Sequence, residues 1–588
     1  MILMTQTATR TSRLARGVFY PAAGIILLFV LIAVVAPEAM TNAMGWLQAE
    51  VIGVFGWYYV LIVAAFVVFA IWMGLSRFGD IVLGPDDEEP EFRLPVWFSM
   101  LFATGMGIGL VYFGVAEPLS HFESPKPGVT GDDPFLAQAA IGQTYLHWGI
   151  HAWAIYVVAG LALAYAIHRK GRPVSIRWAL EPLFGDRVKG RLGDVIDVVA
   201  IIGTVFGVAT SLGFGVLQVS NGLEFLGWVD DASMALKIGL IAAITAVAAL
   251  SVASGLSKGI KWLSNGNMVL AGVVLGAVFV LGPTLFLLRE WVQSFGYYFS
   301  NVIRLTFDTL AFRGDEGLAW ESSWTIFYWG WWISWAPFVG VFIARISRGR
   351  TVREFVLGTL AVPMAVTTIW FSVFGGAGLN QEMAEPGSML DPATGEVNTD
   401  TAMFQLFDTL PGGGAWLSVA AIILVIVFFV TSSDSGSFVV DMLANGGDPN
   451  PPLWSRLFWA ILEGLVAAAL LLAGGLTALQ TAAILIALPF SLVLIGMGAS
   501  VVKELSAEHR AIVRAERRAA RAELTEHVTE KVATTLAGRW ENVLPPAPGA
   551  LRLRVPRRRP REGPGAPPGD GAAGSGASQN PSGPDSSG

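Results

Sequence analysis

The stretch WTIFYWGWWISWAPFVG, Trp324 to Gly340, decides how this chain is to be read. It lies in an apolar run long enough to cross a bilayer, and helical spacing puts Trp331, Trp332 and Trp335 on adjoining positions of one face. Interfacial tryptophans sit at the membrane surface, where the ring is buried and the indole N–H stays wet. A helix starting near Ser323 rises about 1.5 Å per residue, so these rings lie roughly 12 to 18 Å into a hydrocarbon core about 30 Å thick. Electron-rich ring faces in a dry place suit a cation that cannot donate hydrogen bonds, and quaternary ammonium is the usual example.

The rest of the composition agrees with a membrane setting. Hydrophobic residues make up 54% of the chain and charged residues 14%, and the mean hydropathy is +0.58. A soluble domain of that composition would aggregate, so the expected class is an all-α polytopic membrane protein. Apolar windows at 17–36, 56–75, 97–117, 138–167, 196–226, 235–255, 267–290, 324–346, 354–377, 415–436, 453–474 and 478–500 predict about twelve transmembrane helices. The chain has no cysteine, which excludes disulfides, thiol nucleophiles and thiolate metal sites. Its six histidines are too scattered to make a metal site, and neither a cofactor nor enzymatic activity is expected. A pI near 5.5 argues against a nucleic-acid partner.

Arg10, Arg13 and Arg16 precede the first window and no small-residue cleavage site follows it, which reads as a retained helix. Basic clusters fall on alternate loops, at Arg169 to Arg177, Lys258 to Lys261 and Arg345 to Arg353. The positive-inside rule therefore puts both termini in the cytoplasm of a multi-pass cell-membrane protein. The expected organisation is a cytoplasmic N-terminus at 1–16, a transmembrane domain at 17–502, a charged tail helix at 503–544, and a basic then Gly/Pro/Ser-rich disordered tail at 545–588. Gly296 to Phe312 is aromatic and amphipathic, either an interfacial helix or a structured external loop.

Three further motifs carry chemistry. ATGMGIGLVYFGVAEP, Ala103 to Pro118, crowds Gly105, Gly107 and Gly109 into an apolar span; it is read either as close helix packing or as an unwound segment lining a site. HWGIHAWAIY places Trp148 and Tyr156 nearly in line on one helix face, with His147 and His151 on another, either a proton relay or structural. FFVTSSDSGS sets Phe428 before Thr431, Ser432, Ser433, Asp434 and Ser435, and hydroxyls and carbonyls suit a hard cation. The role of Asp434 is left open.

Together these motifs resemble the betaine/choline/carnitine transporter family, from about residue 17 to about residue 505. The resemblance rests on GMGIG followed by EP, on HW with the later Trp and Tyr, on WGWWISWAPFVGVFIARISRGR and on TSSDS, in that order. It implies a leucine-transporter-like inverted repeat of spans 3–7 and 8–12 behind two extra N-terminal helices, and a homotrimer. It implies that Trp148, Tyr156, Trp331, Trp332 and Trp335 surround a trimethylammonium group. The backbone of Gly105, Met106, Gly107 and Gly109 would approach the substrate carboxylate, and Trp329 and Phe342 would line the pathway. In sodium-coupled members the ion matches Ala103, Met106, Phe428, Thr431 and Ser432. A second family sodium site maps to Thr204, Val208 and Phe338, and Val208, lacking a side-chain oxygen, puts it in doubt.

Proton-coupled choline members carry an Asp where this chain has Gly109, and exchange-type carnitine members use a cationic side chain that is missing from the relevant parts of spans three, five and ten. The resemblance therefore implies sodium-coupled uptake of glycine betaine or a similar zwitterion. The alternatives kept are a proton-coupled choline transporter or a carnitine/betaine exchanger, and, from another class, a channel or membrane sensor. A wide aromatic cage at the midplane would obstruct ions, which weighs against a channel. Arg510, Arg514, Arg517, Arg518, Arg521 and the Arg552 to Arg561 cluster form a tail that either contacts anionic lipid or is simply solvated.

Overall fold

The computed structural model describes residues 14–105, 107–254 and 257–541. Met106, Arg10, Arg13, the Arg552 to Arg561 cluster and the Gly/Pro/Ser-rich end lie outside the described residues. Two apolar helices come first, α1 (Arg16–Val35) and α2 (Pro37–Leu75). Pro37 opens α2, where its missing N–H leaves no intrahelical bond unmade.

The third and fourth spans are each interrupted. α3 (Leu94–Gly105) and α4 (Ile108–Glu123) are separated around Gly107, which is extended at φ −150° and ψ −150°. α5 (Asp133–Trp148) starts from the Asp132 side chain, which accepts the Phe135 N–H at 3.3 Å, and meets α6 (Ile150–Ala164) at Gly149. Two short turns, α7 (Ile176–Ala179) and α8 (Glu181–Phe184), lead into α9 (Arg191–Phe225), α10 (Met234–Ser254) and α11 (Ser257–Leu281).

The seventh span ends at Leu281, earlier than residue 290, because Gly282 and Pro283 break the helix. α12 (Thr284–Phe307) then forms the amphipathic element, a helix that begins well before Gly296 and buries Leu287, Ser294, Tyr298 and Leu305. α13 (Gly314–Glu321) passes through one π turn, Ser322–Ile326, into α14 (Phe327–Ile346). This eighth span therefore starts at Gly314 instead of near Ser323, and its tryptophans still fall at mid-helix.

α15 (Val352–Ala384) opens on a capping box: the Thr351 hydroxyl accepts the Glu354 N–H at 3.1 Å while the Glu354 carboxylate accepts the Thr351 N–H at 3.3 Å. α16 (Ala402–Thr409), α17 (Gly414–Ala444) and α18 (Leu453–Glu541) complete the order. Gly474 and Gly475 interrupt α18 with φ of 153° and 61°, a backbone that L side chains rarely adopt, and so divide the eleventh span from the twelfth. From Arg514 onward the helix forms a unit of its own with exposed side chains.

Ten helices among the described residues are long and apolar enough to cross a membrane. The broken third span and the division of α18 bring the passes to the twelve expected, with α1 and α2 ahead of two sets of five. Burial separates the inside of the bundle from its periphery: the apolar window of Gly314–Ile346 is 94% buried, that of Met234–Ala253 only 28%. The interior helices approach closely through small residues. A Cβ at Gly340 of α14 would lie 2.7 Å from the Cβ of Ala159 and 3.3 Å from the Gly160 nitrogen of α6. Gly340→Leu is expected to destabilise the bundle by about 1 to 3 kcal/mol, read as a lower thermal midpoint in detergent. Gly24→Leu, where nothing lies within 4 Å, is expected to leave the midpoint unchanged.

Candidate functional site

The tryptophans of α14 meet those of the fourth span. Trp331 and Trp332 stack with ring centroids 4.6 Å apart and 15° between planes. Trp148, the last residue of α5, stands edge-on to both at 5.9 and 4.9 Å, and Tyr156 of α6 is edge-on to Trp332 at 6.5 Å. All four are almost wholly buried. The interruption at Gly149 means that Trp148 and Tyr156 do not share one regular helix, yet both face Trp332.

Each of the three indoles is turned by the hydrogen bond that its N–H must make when buried. Trp148 donates to the Glu117 carboxylate of α4 at 2.6 Å, Trp331 to the Ser211 hydroxyl of α9 at 3.3 Å, and Trp332 to the His147 carbonyl at 2.8 Å. Two further donors here have no partner among the described residues, the Tyr156 hydroxyl and the Trp335 N–H. An unmatched buried donor is costly, and a ligand carboxylate is the kind of group that would satisfy it.

Gly109 sits directly against this cluster. A Cβ there would lie 2.5 Å from Trp331 and 2.9 Å from Trp148, so no side chain fits at 109 without displacing a ring. At Gly107 nothing lies within 4 Å, and that residue serves the break in the span instead.

Trp335 lies one turn further along α14, 6.4 Å from Trp331 and 5.7 Å from Phe338. It lines a cavity of about 100 Å³ together with Phe338, Phe342, Phe428, Thr431 and Ser432. Thr431 donates its proton to the Val427 carbonyl at 2.9 Å, with Phe428 O at 3.2 Å, which leaves the hydroxyl lone pairs free to face a cation. Ile108, the first residue of α4, and Val425 of α17 both pack on Gly215 of α9, where a Cβ would lie 3.1 and 3.2 Å from them. Ala103 and Gly105 lie on the α3 side of the break.

Other expected residues go elsewhere. Trp329 stacks on His151 at 5.4 Å and packs edge-on to His147 at 5.9 Å, not in the cavity that holds Phe342. The two histidines take separate partners: His151 Nε2 pairs with Thr306 at 2.8 Å, His147 Nδ1 with Glu117 at 2.7 Å. Thr204 donates to the Ala200 carbonyl of its own helix at 2.9 Å, and Val208 packs 3.1 Å from the Cβ position of Gly436, so its methyls face α17. Asp434 is held by Arg456 at 2.9 Å. Sequence reasoning gave no role to Glu117, Ser211 or Tyr328, although a carboxylate inside an apolar span was itself a signal.

The family model described as BCCT, betaine/carnitine/choline family transporter, matches residues 17–510. The glycine betaine transporter OpuD of Bacillus subtilis is 44% identical over 501 residues, covering 85% of this chain and 96% of that protein. A glycine betaine transporter of Acinetobacter baylyi is 42% identical, covering 85% and 75%. An uncharacterized transporter of Mycobacterium tuberculosis is 53% identical over 487 residues, covering 82% and 80%.

The Cβ distances at the two glycines predict opposite tolerances. Gly109→Ala is expected to weaken binding of a quaternary ammonium ligand by about tenfold or more, because Trp331 and Trp148 must move apart. Gly107→Ala is expected to bind within about twofold of the parent. Tryptophan-fluorescence titration of the two purified variants reads both.

Proposed function

The chain belongs to the betaine/carnitine/choline family of transporters, and from that premise we propose that it carries glycine betaine, or a closely similar zwitterionic quaternary ammonium solute, into the cell by sodium-driven alternating access. The observation that carries the reading is the group Trp148, Tyr156, Trp331 and Trp332, with its indole N–H groups tied outward and no acid at Gly109. Aromatic faces attract a trimethylammonium group by roughly 1 to 2 kcal/mol per well-placed ring when water is excluded. A substrate without its own negative charge would leave that cation unbalanced in a dry site, whereas a betaine brings a carboxylate for the unmatched donors of Tyr156 and Trp335.

We assign the coupling ion to sodium at the cavity of Phe428, Thr431 and Ser432, through carbonyl and hydroxyl oxygens. Ion and substrate then share α14, through Trp335, so each raises the affinity for the other by one factor. A second sodium at Thr204 and Phe338 gains no support, since Thr204 spends its proton within α9 and Val208 presents only methyls.

The test is accumulation of labelled glycine betaine in proteoliposomes under an inward sodium gradient. Uptake above equilibrium with sodium, and none when potassium or a proton gradient replaces it, is the expected result; equal uptake driven by protons alone would contradict the ion assignment. Thr431→Ala is expected to raise the sodium concentration for half-maximal uptake by about tenfold, the loss of one hydrogen-bond-strength ligand. Trp335→Leu is expected to raise the betaine KM while leaving the thermal midpoint within a few degrees, since the Trp335 N–H bonds no protein group among the described residues.

A further inference from the structure

Glu117 is fully buried two turns above Gly109 on α4, and its two oxygens are used differently. Oε2 accepts the Trp148 N–H at 2.6 Å and the Tyr328 hydroxyl, so one atom joins the end of α5 to α14. Oε1 lies 2.7 Å from His147 Nδ1 and 3.4 Å from His121 Nε2. His147 in turn meets Gln143 and Thr325 at 3.0 Å through Nε2, and its carbonyl accepts the Trp332 N–H at 2.8 Å. Two of the three anchored indoles are therefore tied, directly or through one histidine, to a single side chain of the third span.

Glu117, His121 and His147 offer ligand atoms within 4.8 Å of one another, which is also the spacing of a metal site. The 2.7 Å separation of Oε1 and Nδ1 is instead that of a hydrogen bond, and His147 Nε2 is already occupied on its far side. Whichever of Oε1 and Nδ1 holds the shared proton, Oε2 remains an acceptor for Trp148 and Tyr328. Tyr328 also lies over the cluster, stacked on His147 at 4.6 Å and 5.5 Å from Trp148, so a loose Tyr328 loosens both.

We propose that Glu117 is the positioning residue of the aromatic box: it sets Trp148 against Trp331 and Trp332 by holding Trp148 and Tyr328 on one oxygen and, through His147, the level of Trp332. It does not touch the substrate. This rests on the reading of the box as the ammonium site. It also gives α4 a second task, since the helix that sets Gly109 against Trp331 and Trp148 also holds the Trp148 N–H through Glu117.

The test uses the full-length protein in proteoliposomes with labelled glycine betaine, first for the parent and then for Glu117→Leu, Glu117→Gln, Tyr328→Phe and the Glu117→Leu/Tyr328→Phe pair. Leucine removes the acceptor, and KM is expected to rise about tenfold or more with Vmax changed far less. Glutamine keeps a carbonyl oxygen for Trp148 and Tyr328 and is expected to stay within about threefold of the parent KM. Tyr328→Phe is expected to raise KM by about threefold or more alone and by less than about twofold in the Glu117→Leu background, because the bond it removes is already gone. Parent-like KM in Glu117→Leu overturns the proposal, and so does a Tyr328→Phe effect of equal size in both backgrounds. If Glu117→Leu does not insert, Glu117→Gln and Tyr328→Phe decide alone: an unchanged KM in Tyr328→Phe, or loss of KM and Vmax together in Glu117→Gln, overturns it. A parent that neither binds nor accumulates glycine betaine instead sinks the proposed function.

Discussion

Three indole N–H groups buried in the middle of a membrane protein must each find an acceptor, and that requirement shapes the site. Hydrocarbon offers none, so the acceptors come from neighbouring helices: a carboxylate on α4, a hydroxyl on α9 and a carbonyl at the end of α5. With the N–H of each ring committed to a neighbouring helix, the faces of Trp148, Trp331 and Trp332 are left to one another. A quaternary ammonium ion makes no hydrogen bond and competes for none of these acceptors, so a site of this kind favours it over a protonated amine.

The breaks in the helices follow from the same geometry. Gly109 is small because two rings occupy the space its side chain would need, and Gly107 is extended because α4 starts anew beside α17. On α17, Thr431 and Ser432 share a cavity with Trp335 and Phe342 of α14. Ring cluster and hydroxyl-bearing cavity are consecutive along α14, with Trp335 touching both.

Much of this was legible in the sequence. Hydropathy alone located the passes, since a run of about twenty apolar residues has few other uses. Trp331, Trp332 and Trp335 were legible because tryptophan is conspicuous at depth, whereas Trp148 and Tyr156 joined them through the family resemblance. What escaped reading was whatever depends on partners distant in sequence: that Glu117 would meet Trp148 and Tyr328, that Ser211 would hold Trp331, and that His147 and His151, one turn apart, would serve different neighbours. Boundaries slipped where one residue changes the backbone, as at Gly282 and Pro283 before α12 and at Gly149 between α5 and α6. Trp329 was given a pathway role by the resemblance alone, and its stacking on His151 was not legible in the sequence.

The central claim is that the rings read positive charge and not merely shape. The direct measurement is displacement of labelled glycine betaine from the purified protein by unlabelled glycine betaine and by 3,3-dimethylbutanoate, which has the same shape and carboxylate with carbon in place of the charged nitrogen. Cation–π recognition predicts that the neutral-headed analogue binds at least about tenfold more weakly. Equal displacement by the two would contradict the account and reduce the tryptophan cluster to an apolar pocket.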